Sequence, residues 1–164
     1  MQIVTKPADN AVADQPLSEN SETVKDLRIA AMNILARREH SRKEVSDKLY
    51  KKFELDSELL STVLDQLVAD DLLSDQRFSE AFLRWRVGKG QGPVRIRMEL
   101  RERGVDGEAV LRECEVDWFA LAEEVAHKRF GGSPATDAKQ RAKRMRFLQY
   151  RGFNGEQIRA ALND

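Results

Sequence analysis

Apolar residues recur along most of this chain with a helical period. Leu27, Ala31, Ile34 and Leu35 fall at i, i+4, i+7 and i+8, which places them on one face of a helix. Leu60, Val63, Leu64 and Leu67 form a second such stripe. Phe78, Phe82 and Trp85 form a third, and Trp118, Ala122 and Val125 a fourth. No convincing alternation of period two occurs, so sheet is not expected. The polar positions between the stripes carry helix punctuation. Ser41-Arg42-Lys43-Glu44 and Asn154-Gly155-Glu156-Gln157 read as capping boxes. Asp56 and Asp106 read as N-caps, Pro93 as a first-turn proline, and Gly104 and Gly152 as helix stops. Residues 1–24 hold Pro7, Pro16 and few large apolar groups, which predicts a flexible N-terminal tail.

The punctuation repeats. Leu100-Arg-Glu-Arg-Gly104-Val105-Asp106 and Leu148-Gln-Tyr-Arg-Gly152-Phe153-Asn154 share a leucine followed by arginine at +3, glycine at +4, an apolar residue at +5 and a cap at +6, and Leu49 begins a looser copy. Tandem helical units follow: a first repeat over 25–73, a second over 74–115 and a third over 116–164. Units this short hold too little core to be robust alone. The expected architecture is therefore all-α, with three three-helix repeats in an elongated, curved row.

Composition sharpens the picture where it concerns charge. The 164 residues carry 28 Lys+Arg against 28 Asp+Glu, yet the signs are segregated. The segment from Arg84 to Arg103 has seven basic and two acidic residues, and that from Asp137 to Arg151 has six and one. Segments 54–80 and 106–124 are acidic, and they read as helix-dipole and solubility charge before protein-binding faces. Lys139, Lys143 and Arg146 share one helix face, and Arg97 and Arg101 are neighbours on another. Arginine forks at matching positions of two repeats suit phosphate oxygens; the competing reading pairs them with acidic segments of adjacent repeats.

No enzyme motif is present: there is no Walker loop, dinucleotide fingerprint or nucleophile elbow. Gly88-Lys89-Gly90-Gln91-Gly92 reads as an inter-helix turn. One cysteine and two histidines exclude an intrachain disulfide and a four-ligand Cys/His zinc site. Cys114 is expected as a buried thiol, His40 and His127 as surface or capping residues, and Trp85, Trp118, Phe78 and Phe82 as core. Arg77 is a candidate for holding a repeat junction. No membrane span or signal peptide is evident, and a cytoplasmic location is the default.

Five stretches, in order, resemble the RecX family. They are Leu35-Ala-Arg-Arg-Glu-His-Ser-Arg-Lys-Glu44, Leu72-Leu-Ser-Asp-Gln-Arg-Phe-Ser-Glu-Ala-Phe82, Gly90-Gln-Gly-Pro93, Leu100-Arg-Glu-Arg-Gly104 and Phe147-Leu-Gln-Tyr-Arg-Gly-Phe153. The first repeat departs from the family, with Lys52-Phe53-Glu54-Leu55 where a glycine turn is usual. The resemblance implies a non-enzymatic, cofactor-free regulator that binds the RecA protein and the RecA–DNA filament, together with single- and double-stranded DNA. It further implies inhibition of RecA's ATPase, strand exchange and coprotease functions. A monomer is expected. The expected polyanion or filament contacts are Arg95, Arg97, Arg101 and Arg103 on one basic helix. On the other they are Lys139, Arg141, Lys143, Arg144 and Arg146. The alternative function is a helix-turn-helix transcription factor reading duplex DNA by sequence.

Overall fold

A computed structural model describes residues 17–53 and 57–163 of the chain. Among these residues there are nine α-helices and no strand. They are α1 (Leu17–Leu35), α2 (Arg42–Phe53), α3 (Ser57–Ala69), α4 (Asp75–Gly88), α5 (Pro93–Glu102), α6 (Glu108–Glu113), α7 (Trp118–Phe130), α8 (Ala138–Arg151) and α9 (Gly155–Leu162). Most positions of the helical stripes bury, in three separate clusters, with Trp118 of the fourth stripe packed against the second cluster. Leu27, Leu49 and Leu67 lie in the first, Phe78, Ile96 and Leu100 in the second, and Val125, Leu148 and Ile158 in the third. The repeat leucines Leu49, Leu100 and Leu148 are each fully buried. Every helix pair in substantial contact lies within α1–α3, α4–α6 or α7–α9, so the molecule is a row of three small bundles.

The capping chemistry accounts for most helix starts. Ser41 Oγ accepts from the Glu44 amide at 3.1 Å while Glu44 reaches back to the Ser41 amide at 3.3 Å. Asn154 and Gln157 form the same reciprocal pair. Ser74, Asp117 and Asp137 cap α4, α7 and α8. Asp106 is one residue early: Gly107 is the N-cap of α6, and the Asp106 carboxylate takes the Glu108 amide instead. The Asp56 cap lies outside the described residues. Helix α1 begins at Leu17, inside the segment 1–24 expected to be a tail. Val24 packs against the first core, and with Leu27 buried the helix extends upstream of that anchor.

Three further expectations are corrected. His40 is buried, at 2% exposure, because it tucks under the α1–α2 turn with Nδ1 on the Arg38 carbonyl and Nε2 facing Lys48 Nζ. Trp85 is 53% exposed: its helix buries Phe78 and Phe82, and the indole lies at the stripe's edge. Cys114 is half-buried, its thiol donating to the Leu111 carbonyl at the margin of the second core.

The bundles join through their middle helices, end to end. At the junction of the second and third, the Gly92 amide donates to the Arg151 carbonyl (2.8 Å) and the Val94 amide to the Gly152 carbonyl (3.0 Å). Pro93 between them has no N–H. The unsatisfied amides that open α5 thus meet the unsatisfied carbonyls that close α8, and the two helix dipoles align favourably. The approach is so close that a Cβ on Gly92 would lie 2.4 Å from the Gly152 carbonyl carbon. At the junction of the first and second, Ser41 Oγ donates to the Arg103 carbonyl at 2.7 Å, so the end of α5 abuts the start of α2. Asp75 takes the Arg42 amide there (2.7 Å), and Arg77 ties Glu39 to Asp71, holding the junction as anticipated.

Candidate polyanion interface

Helices α5 and α8, with Arg103 at the C-cap of α5, hold the nine basic residues singled out above, and the fold divides them. On α8, the Asp137 cap and the buried Leu148 fix the rotation of the helix, which turns Lys139, Lys143 and Arg146 into solvent. None of these three has a carboxylate partner among the described residues. Arg141 is exposed near the loop at 131–135. Arg144 turns inward, donating to the Ser133 carbonyl at 2.7 Å with its guanidinium over the Phe130 ring.

On α5 only Arg101 is exposed without a described partner. Arg95 bonds Glu99 at 3.0 Å and crosses the junction to the Tyr150 carbonyl at 3.2 Å. The hydrogen bond to Glu99 is the main reason its pKa lies above the ordinary guanidinium value. Glu99 is 7% exposed and also pairs with Arg86 at 2.6 Å. Arg97 pairs with Glu108. Arg103 packs its guanidinium over Phe82, donates to the Glu99 carbonyl at 2.7 Å and faces Glu44 at 3.6 Å. Thus Arg95, Arg97, Arg103 and Arg144 hold the protein together, while Arg101, Lys139, Lys143 and Arg146 remain available to a ligand.

One surface residue went unmarked in the sequence. Tyr150 lies at i+11 from Lys139, on the same α8 face as Lys143 and Arg146, and is 74% exposed. The helical spacing alone would have found it. The structure brings together no three His, Cys, Asp or Glu side chains as metal ligands among the described residues, and no described helix is long and apolar enough to cross a membrane.

Comparison with known proteins follows the same three-part division. Models of the RecX family match the chain in order: the first three-helix domain over 28–67, the second over 74–110 and the third over 115–162. A regulatory protein RecX from Halorhodospira halophila (strain DSM 244 / SL1) is 46% identical over 144 residues, covering 86% of this chain and 87% of its own. One from Pseudomonas entomophila (strain L48) is 44% identical over 152 residues, covering 91% and 92%. The crystal structure of RecX from Lactobacillus salivarius superposes with a TM-score of 0.73 at 21% identity, over 87% of this chain and 96% of that one. A second crystal structure of a regulatory protein RecX gives 0.75 at 18% identity, over 98% and 81%. These two structures are similar in fold.

Proposed function

Because the chain belongs to the RecX family of regulatory proteins, we propose that it is a non-enzymatic regulator that binds RecA and RecA–DNA filaments and lowers RecA's activity. The observation that supports this most directly is the set of cations without internal partners. Lys139, Lys143 and Arg146 stand in line on α8, and Arg101 stands on α5. A row of linked bundles suits a long, repetitive target such as a filament groove. Charge-assisted contacts along that row would place the protein on a polyanion without any chemistry. Many of the carboxylates do structural work: Asp75 and Asp117 cap helices, and Glu44 and Glu99 pair with arginines.

The test is DNA-dependent ATP hydrolysis by RecA as the purified protein is titrated in, from substoichiometric to stoichiometric ratios. Hydrolysis should fall. The K139E/K143E/R146E variant should need at least about tenfold more protein for the same effect, as expected when several charged contacts are reversed. Replacing the same three residues by glutamine should flatten the log-affinity against log-salt slope on single-stranded DNA by about 2. A RecA rate unmoved at every ratio refutes the reading. A fixed sequence recovered from random duplexes would point to a transcription factor instead.

A further inference from the structure

The cationic line on α8 does not stop at the end of that helix. Lys139, Lys143, Arg146 and Tyr150 fall at i, i+4, i+7 and i+11, so the line runs into the junction with α5. There the Arg95 guanidinium lies 5.1 Å from the centre of the Tyr150 ring, and the same side chain donates to the Tyr150 carbonyl. Met98, at i+3 from Arg95, is exposed, and Arg101 follows at i+3 from Met98. On α8 the line from Lys139 to Tyr150 spans about 16 Å at 1.5 Å per residue. Three exposed cations lead along it to an aromatic ring at the splice, while Arg101 lies beyond, turned about 120° around α5 from Arg95.

That ring has the properties of a stacking platform. It is 74% exposed, and a permanent cation contacts it within the protein. A tyrosine also loses little side-chain entropy on stacking. From this geometry we infer that Tyr150 is the stacking platform for an unpaired base of a single-stranded nucleic acid lying along the α8 line. Lys139, Lys143 and Arg146 take the phosphates leading to it. An exposed ring on a helix surface has nothing to stack on in an intact duplex, whose base faces are already covered. It gains a partner only from a strand whose bases are open. Arg95, proposed from sequence as a direct contact, acts here as a positioning residue for the ring.

This inference rests on the functional reading above in taking nucleic acid as a ligand, and its test is run without RecA so that the two can fail separately. Fluorescence anisotropy would measure binding of a labelled oligo-deoxythymidine of about 20 nucleotides and of a mixed-sequence duplex of equal length. Tyr150→Ala should weaken single-strand binding by roughly tenfold while leaving duplex binding within about twofold. Tyr150→Phe should restore it, since stacking needs the ring and not the hydroxyl. Tyr50→Ala serves as the control. Tyr50 is an exposed tyrosine on α2, where Lys43 is already paired with Asp47, and its loss should change nothing. Circular dichroism would establish that each variant keeps its helix content. Equal loss on both ligands, no loss on the single strand, or no single-strand binding by the unaltered protein would each overturn the inference. The RecA titration would still decide the proposed regulation on its own.

Discussion

His40 shows how one side chain can set a pH dependence. Burial is the main cause of its lowered pKa, with the nearby charges of Arg38 and Lys48 adding to it. The Arg38 carbonyl and Glu44 oppose the shift but do not reverse it. The donors fix the tautomer: Nδ1–H points to the Arg38 carbonyl and Nε2 accepts from Lys48. In the unfolded chain the imidazole titrates near its ordinary 6.5. The unfolded state thus takes up a proton before the folded state does. The contribution to stability is whole above about pH 6.5 and is lost as pH falls through the depressed folded value. Urea midpoints should drop between about pH 7.5 and 5.5, and His40→Gln should flatten that drop. A histidine before a capping serine is easily mistaken for a surface residue. Its burial depends on Lys48 and on the turn above it, neither of which is marked by local pattern. Trp85 failed the other way: it continues the Phe78–Phe82 stripe, yet the buried face of α4 turns toward Leu83 and Val87 and leaves the indole at its edge. Periodicity gives the stripe, and the packing of the helix against its own bundle decides which side of that stripe is covered.

Among the helices, the end-to-end joints carry the most specific demands. Gly152 has φ +94°, and a Cβ there would sit 2.3 Å from Cβ of Arg95. Gly152→Ala should cost about 2–4 kcal/mol, from left-handed backbone strain plus overpacking, read as a lowered urea midpoint. Glu99 is the second fixed point, a nearly buried carboxylate shared by Arg86 and Arg95. Glu99→Gln leaves two guanidinium groups without a counter-charge. It should destabilise by about 3 kcal/mol, measured the same way. The repeated Leu-to-Gly spacing was plain in the sequence, and so were the two capping boxes. The local reason for Gly104 and Gly152, a left-handed helix stop, was legible; the second reason, the lack of room for a Cβ, arises only where α8 meets α5 and α5 meets α2. The same blindness applies to charge. Arg103 finds Glu44 across a junction, and Arg97 finds Glu108 on the following helix. Counting signs along the chain therefore identified basic helices but not which of their cations were already spoken for.

At the scale of the whole molecule, stability is divided among three small cores. The middle one buries Phe78, Phe82, Leu83, Ile96, Leu100 and Val105. That is too little apolar surface for an independent domain of this length. A peptide covering residues 74–115 alone should show little helix by circular dichroism. Addition of the flanking bundles in the full chain restores it. If the isolated peptide melts cooperatively with full helix content, the bundles do not depend on one another. The segregated charge was legible as two basic segments, and the three-part division as a repeat of glycine, cap and leucine. The contact of Arg95 with the Tyr150 ring was not, since it exists only where one bundle's last residues fold against the next.

The two joints are built from different parts. One couples a serine hydroxyl to a carbonyl, and the other seats two backbone amides on two carbonyls beside a proline. Each behaves as a dovetail cut for one mate. The bundles are consequently not interchangeable beads: a permuted chain would keep every hydrophobic core, yet it would bring together ends that do not match. The linear order of the three units is thus written into their tips, independently of what lies inside them.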